Sequence, residues 1–198
     1  MGVKAIIFDI GGVFLTDKLE SIYDKIAKDL GLNPEEFSAF MAQHKKELLK
    51  GEISATNIAE LLKKDFKITA DILQIWENAY LHLMNINTKV LNLVQELKNN
   101  YVVAAISNTN EFHSAINKKR GAYSYFNPML ISSDIGMMKP EKPIFQKMLE
   151  ELKLQPAECI YIDDREEHLD TAKSMGFNAI HYQNHEQLVE KLAGYNIF

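Results

Sequence analysis

The chain has 198 residues, of which 46% are hydrophobic and 25% are charged, as is typical of a globular protein with a buried core. The formal net charge of −5 excludes a general electrostatic attraction to nucleic acid or anionic lipid, so we expect neither as a partner. An anionic ligand must therefore be captured by local cations or a metal ion. The single cysteine, Cys159, lies in an apolar run, and we expect a buried, unreactive thiol.

The amino-terminal sequence predicts no targeting segment. The apolar residues 5–8 are too few for the hydrophobic region of a signal peptide, and no cleavage site follows them. The sequence contains no apolar stretch of membrane-spanning length. It therefore favours a cytoplasmic protein, and it leaves the oligomeric state open.

Five short apolar or β-branched runs predict strands, and helical patterns separate the last four of them. This alternation favours an α/β protein with a Rossmann-like parallel sheet that is covered on both faces. The predicted strands are residues 4–8, 102–106, 129–132, 159–162 and 178–182.

The long stretch between the first two strands predicts only helices. We therefore expect a catalytic core formed by residues 1–14 and 88–198, with a helical cap at residues 15–87 inserted after the first strand. Four helices are indicated by their start and stop residues: residues 19–30 after Asp17, residues 34–50 before Gly51, a third after Ser54, and a fourth after Thr69 or Asp71.

Polar side chains follow each of the first four predicted strands. They are Asp9, the pair Ser107 and Asn108, Lys139, and the pair Asp163 and Asp164. Ligands of open parallel sheets gather beyond the carboxyl ends of the strands. Each residue type is common at such a place, but chance does not readily place all four sets in this order.

This set of residues suits phosphoryl transfer. A carboxylate nucleophile divides a slow hydrolysis into two easier displacements. Mg²⁺ prefers hard oxygen ligands, which Asp9 and Asp164 offer. Lys139 has the charge to neutralise the attacking carboxylate and the phosphate, while the Ser107 hydroxyl and nearby backbone N–H groups suit phosphate oxygens.

These motifs resemble the four ordered motifs of the haloacid dehalogenase superfamily. Several further segments are similar to the branch that contains the bacterial α-D-glucose-1-phosphate phosphatases. The segments that carry this second resemblance are residues 107–110 with His113, residues 133–141, Ala172 and Gly176 after the paired acids, and residues 51–54 in the cap.

The resemblance implies Mg²⁺ as cofactor and an aspartyl-phosphate intermediate. Asp9 is then nucleophile and metal ligand, and the backbone carbonyl of Gly11 is a second ligand. Asp164 is the direct acidic ligand, and Asp163 lies beside it as a further member of the metal site.

The resemblance also implies how the phosphate is bound. Ser107 binds it, Asn108 and Gly11 help to shape the pocket, and Lys139 stabilises the negative charge. The implied function is a Mg²⁺-dependent phosphatase acting on a small phosphorylated metabolite, such as a sugar phosphate.

The sequence departs from the family pattern at Gly11, where many members carry a second aspartate as general acid. Such a group typically contributes ~10²–10⁴-fold to the rate. Metal-bound water, Asp17, His44 and Glu52 are candidate replacements. The departure keeps a non-catalytic phosphate-binding protein open as an alternative. A second alternative is a metal-independent 2-haloacid dehalogenase-type hydrolase. The pair Asp163 and Asp164 argues against it, because an active site without a metal ion has little use for two adjacent acids.

Four further features have two interpretations each. His113 either faces the substrate or lies on a helix surface, and Asp134 is a turn former rather than a ligand. Trp76 belongs to the cap core rather than to a sugar-stacking platform. Residues 44–46 form a solvated helix face, or else their lysines meet an anionic substrate.

Overall fold

The structure is a computed structural model, and it describes residues 2–16 and 19–198. Asp17, expected above as a helix cap and as a candidate proton donor, lies outside the described residues. The strands are β1 Ala5–Phe8, β2 Val102–Ser107, β3 Met129–Ile131, β4 Cys159–Asp163 and β5 Asn178–His181. The helices are α1 Leu19–Leu30, α2 Pro34–Lys50, α3 Ala55–Phe66, α4 Ile72–Leu83, α5 Thr88–Leu97, α6 Glu111–Lys119, α7 Ser132–Ile135, α8 Lys142–Leu152, α9 Glu166–Ser174 and α10 His185–Ala193.

All five strands are parallel and lie in the order β3-β2-β1-β4-β5, which confirms the predicted α/β fold. The strand β1 is central, and its four residues are buried. Phe8 pairs with Ala105 on one side and Ile162 on the other. The next residue, Asp9, therefore emerges at the point where the strand order reverses, which is where ligands of such sheets bind.

The helices between β1 and α5 begin close to the predicted positions, and Ser54 caps the third helix as expected. The Asn33 side chain accepts from two backbone N–H groups of α2, and Ser54 accepts from the Asn57 N–H. At the fourth helix the N-cap is Asp71, whose carboxylate accepts from the Gln74 N–H. We refer to α1–α4 as the helical insertion. The division into core and cap at residues 14/15 and 87/88 stays a prediction.

Gly51 ends α2 with φ +72° where the helical insertion meets α7. A β-carbon at this position would lie 2.4 Å from the carbonyl oxygen of Ser133. Both the backbone angle and the contact therefore require glycine. The insertion is thus held against the residues that follow β3.

The core has two apolar clusters, one on each face of the sheet. Ile6 and Phe8 belong to the cluster that continues into the helical insertion, where it includes Trp76. Ile7 packs on the other face with Phe145. This alternation follows from the two-residue period of a strand. Apolar contact with the first cluster therefore positions the insertion over the sheet.

Two expectations about the chain as a whole are met within the described residues. Cys159 is buried, and burial raises the pKa of its thiol to about 12. None of the described helices combines the length and the apolar character that crossing a bilayer requires.

Candidate active site

A cavity of about 160 Å³ lies at the carboxyl edge of the sheet, and the helical insertion contributes to its wall. Its lining brings together all but one of the residues that the sequence singled out for the site. Those present are Asp9, Gly11, Ser107, Asn108, Lys139 and Asp164. The exception, Asp163, lies directly behind this lining and contacts Lys139.

Lys139 joins two carboxylates inside the protein. Its Nζ lies 2.7 Å from Asp9 Oδ1 and 2.8 Å from Asp163 Oδ2, and its side chain is 1% exposed. Burial by itself would lower the pKa of Lys139, but Asp163 and Asp9 raise it above the ordinary value. The ammonium group is therefore charged and oriented toward Asp9.

Asp163 accepts hydrogen bonds from several donors. Besides Lys139, these are the Tyr161 hydroxyl, the Arg165 backbone N–H at 2.9 Å and the His168 ring at 3.0 Å. Burial opposes ionisation, but Lys139 and His168 outweigh it and hold the pKa of Asp163 well below its ordinary range. Because a carboxylate offers roughly four acceptor positions, these contacts suit an anchor for Lys139. These hydrogen bonds occupy the carboxylate oxygens with which Asp163 was expected to bind the metal ion.

The Asp9 carboxylate lies at the cavity wall, next to Lys139. Its Oδ1 accepts from Lys139 and, at 2.6 Å, from the Ile10 N–H. Burial raises the pKa of Asp9, and the charges of Asp163 and Asp164 add to this effect, so that the pKa is about 7. Three carboxylates therefore lie close together at this edge of the sheet. A divalent cation would restore the charge balance.

The donor atoms around the cavity fit such a cation. Asp9, Asp164 and Gly11 line the same cavity, and two carboxylates with a backbone carbonyl would be the kind of hard oxygen set that Mg²⁺ prefers. The Asp164 carboxylate approaches the backbone of Gly12 closely: a β-carbon there would lie 2.7 Å from Asp164 Oδ2, and Gly12 has φ +79°. An alternative group of potential ligands, Asp9, Asp163 and His168, has atoms within 4.8 Å of one another.

Asn108 fixes the backbone of Lys139 in place. Its side-chain amide donates to the Lys139 carbonyl at 2.8 Å and accepts from the Lys139 N–H at 2.9 Å. Ser107, at the end of β2, is 3% exposed and lines the cavity. Asn108 therefore positions the lysine, while Ser107 stands on the cavity wall.

His113 lines the cavity, and its interpretation as a helix-surface residue is wrong. It is 2% exposed, because α6 packs against α4 of the helical insertion. Trp76 Nε1 donates to His113 Nε2 at 2.7 Å, and the Tyr80 ring stacks on the imidazole at 4.0 Å between centroids. Burial lowers the pKa of His113 to about 3. Trp76 lies in the apolar core, as expected.

Of the remaining sequence candidates that the structure describes, only Lys45 lines the cavity. His44 packs on Phe40 and lies 3.6 Å from Glu47, and Glu52 is exposed. Asp134 pairs with Lys118 at 2.8 Å. Of residues 44–46, only Lys45 reaches the cavity wall.

Three buried residues of the site were not found from the sequence: His168, Tyr80 and Asn117. Helical periodicity could have indicated each of them. His168 shares the buried face of α9 with Leu169. Tyr80 follows Trp76, and Asn117 follows His113, by one helical turn.

Known proteins resemble this chain over nearly its whole length. The haloacid dehalogenase-like hydrolase family matches residues 3–176. The D-ribitol-5-phosphate phosphatase of Bacteroides thetaiotaomicron is 24% identical over 196 residues, which cover 92% of this chain and 93% of that protein. A sesquiterpene phosphatase of Aspergillus oryzae is 24% identical and covers 90% of this chain and 89% of its own length.

A solved structure is similar in fold as well. It is a mutant haloacid dehalogenase family enzyme of Bacteroides thetaiotaomicron in complex with magnesium and inorganic phosphate. It is 26% identical to this chain, with a TM-score of 0.78 over 92% of this chain and 95% of that one. The family match spans most of the sequence, and the strand-end residues meet in one cavity. The chain therefore belongs to the haloacid dehalogenase-like hydrolases.

Proposed function

We propose that this protein is a Mg²⁺-dependent phosphatase that hydrolyses a small phosphate monoester through an aspartyl-phosphate at Asp9. The observation that carries the proposal is the buried Lys139, held 2.7 Å from Asp9 Oδ1 at the wall of a cavity that Asp164 and Ser107 also line. The relatives named as phosphatases support the same reaction class. The cavity volume of about 160 Å³ favours a small substrate.

In the first step, an Asp9 carboxylate oxygen attacks phosphorus. The new bond joins Asp9 to phosphorus, while the bond from phosphorus to the ester oxygen breaks. The leaving oxygen departs with that electron pair and takes a proton from water. Lys139 keeps Oδ1 of Asp9 in place and offsets charge on the phosphoryl oxygens, and the Ser107 hydroxyl donates to one of them. In the second step, water attacks phosphorus and the Asp9 carboxylate is released together with inorganic phosphate.

Mg²⁺ would be held by Asp9, Asp164 and the Gly11 carbonyl, and it would neutralise negative charge on the phosphate group. Asp163 is proposed to act through Lys139, since its carboxylate already accepts from that lysine and three other donors. Gly11 has no side chain to protonate the leaving oxygen, and His44 and Glu52 are absent from the cavity wall. We propose that the alcohol departs without help from a side chain at position 11, from His44 or from Glu52.

Phosphate release from p-nitrophenyl phosphate, measured with Mg²⁺ and then with EDTA, tests this function. We expect turnover with Mg²⁺ and its loss with EDTA. Turnover that persists in EDTA would contradict metal dependence. Phosphate binding without any release from aryl or metabolite phosphates would instead identify a binding protein. A panel of phosphorylated metabolites then identifies the natural substrate class.

A further inference from the structure

His168 is a buried histidine in the first turn of α9, and it has no part in the chemistry proposed above. It belongs to the lining of the cavity and is 4% exposed. One of its ring nitrogens lies within 4.8 Å of a carboxylate oxygen of Asp9 and of one of Asp163. A polar side chain this close to the proposed nucleophile affects the reaction either by binding an ion or by fixing a neighbouring group.

The contact between His168 and Asp163 favours the second of these roles. The distances from His168 Nδ1 to Asp163 Oδ2 and Oδ1 are 3.0 Å and 3.1 Å, so one donor is shared almost equally by both oxygens. An ionised carboxylate only accepts hydrogen bonds, and Nδ1 therefore carries a hydrogen here whether or not the ring is charged. The nitrogen that faces the acids is thus occupied by Asp163, and the imidazole holds this carboxylate by both of its oxygens.

The backbone between β4 and α9 brings the imidazole to this position. Asp163 is the last residue of β4, and its Oδ1 accepts from the Arg165 backbone N–H at 2.9 Å. The His168 backbone N–H donates to the Arg165 carbonyl at 3.2 Å, which closes the first turn of α9. Residues 165–168 therefore curve around the Asp163 carboxylate and supply two of its donors from a single turn.

Asp163 connects His168 to the proposed nucleophile through Lys139. The Asp163 Oδ2 atom also accepts from Lys139 Nζ at 2.8 Å, and Nζ lies 2.7 Å from Asp9 Oδ1. The four side chains are at most 6% exposed. Hydrogen bonds in such a buried network polarise one another, so the loss of one donor changes the contacts that remain.

We propose that His168 is a positioning residue for the phosphoryl transfer. Its Nδ1–H group fixes the Asp163 carboxylate, and this carboxylate fixes the ammonium group of Lys139 against Asp9. The inference rests on the proposed phosphatase function. A misplacement of about 1 Å at a reacting group can cost ~10²-fold in rate. The charge of Lys139 and the proposed Mg²⁺ ligands are kept when His168 is replaced, so substrate binding should be affected much less than the rate.

The test compares His168→Leu with His168→Asn. The two new side chains have nearly the same shape, but only Asn carries an N–H donor on the atom bonded to Cγ, where Nδ1 lies in histidine. The measured quantities are the maximal rate of p-nitrophenol release from p-nitrophenyl phosphate in a single turnover with Mg²⁺, and the apparent dissociation constant of that substrate. We expect the rate to fall at least about 10-fold in His168→Leu and to stay within about 3-fold in His168→Asn. The dissociation constant should change by less than about 3-fold in both variants.

Further measurements separate positioning from other roles. A metal-ligand role would weaken Mg²⁺ binding in His168→Leu, whereas we expect its dissociation constant, from calorimetric titration, to stay within about 3-fold. Leu169→Val is the control for stability, because Leu169 is buried on the same helix but does not line the cavity. It should lower the denaturant midpoint and leave the single-turnover rate unchanged. His168→Gln replaces His168→Leu if the latter does not fold, since its amide nitrogen lies nearer the place of Nε2 than that of Nδ1.

The outcomes separate this inference from the phosphatase function itself. If the unmodified protein releases no p-nitrophenol with Mg²⁺, the phosphatase proposal fails and the role of His168 falls with it. If release occurs but His168→Leu keeps the rate, or His168→Asn loses as much rate as His168→Leu, only the positioning role is refuted. Weakened Mg²⁺ binding in His168→Leu, or an equal loss of rate in Leu169→Val, would also overturn it.

Discussion

The two ends of the cavity differ in charge. At the sheet edge, Lys139 lies between the carboxylates of Asp9 and Asp163, and the residues there suit a phosphate and a metal ion. At the other end, His113 is neutral, and the wall consists of an amide, aromatic rings and a thioether. Under the proposed phosphatase function, the charged end would bind the group common to all phosphate monoesters, and the neutral end would face the alcohol.

The largest effect is expected for Asp9→Asn at the charged end. The amide is nearly isosteric with the carboxylate but is a poor nucleophile and a poorer Mg²⁺ ligand. Turnover should fall by roughly 10³-fold or more, as measured by phosphate release. Circular dichroism serves as the control for folding. Substantial activity in a folded variant would remove Asp9 from the mechanism.

The identity of the leaving group should have the next largest effect. Without a side-chain acid at Gly11, negative charge accumulates on the departing oxygen. We expect single-turnover rates to fall by ~10² or more from aryl to alkyl phosphates of similar affinity. Gly11→Asp should reduce this dependence. A flat dependence in the unmodified protein would show that another group already supplies the proton.

Asp163 and Asp164 should have opposite main effects although they are adjacent. Asp164→Ala should weaken Mg²⁺ binding by about 10-fold or more, since this carboxylate faces the cavity. Asp163→Ala should instead reduce the free energy of unfolding by roughly 3 kcal/mol, because the buried Lys139 ammonium would lose one of its two carboxylate partners. Metal titration and denaturant unfolding in EDTA, applied to both variants, provide the comparison. The reverse ranking would exchange their roles.

The neutral end should respond to acid through His113. Its pKa is about 3 in the folded protein and near 6.5 in the unfolded chain, so the unfolded chain binds the proton between these values. Stability due to this group is therefore present above pH 6.5 and is lost as the pH falls toward 3, by up to about 1.4 kcal/mol per pH unit. His113→Gln, whose amide oxygen also accepts from Trp76, should flatten this part of the unfolding profile. An unchanged pH dependence in this variant would contradict a buried neutral histidine.

The smallest effect distinguishes two glycines with positive φ. Gly31 has φ +67° with open space around it, whereas at Gly12 a β-carbon would lie against Asp164. Gly31→Ala should cost about 1 kcal/mol of stability and leave phosphatase activity intact. Gly12→Ala should show a similar backbone cost and, in addition, weaker activation by Mg²⁺. Equal Mg²⁺ titrations of the two variants would mean that the contact between Gly12 and Asp164 does not matter for the metal.

The residues of the charged end and most of the fold can be predicted from the sequence. Parallel strands place their carboxyl ends on one edge, so Asp9, Ser107, Lys139 and Asp164 had to meet once the strands were recognised. The helix ends in the insertion followed from local capping chemistry at residues such as Ser54 and Gly51, which acts over a few residues and is readable without tertiary contacts.

Only the packing of the folded chain shows which partners the side chains around the carboxyl edge of the sheet contact. The side chains of Asp163 and Asp164 are chemically identical, but adjacent residues at a strand end point to different sides, and only packing showed that Asp163 faces Lys139. His113 and Asn117 meet Tyr80 across 33 and 37 residues of chain. No local pattern encodes that meeting, because it depends on how α4 packs against α6. The neutral end of the cavity is therefore a product of tertiary packing, whereas the charged end follows from the order of strands along the chain.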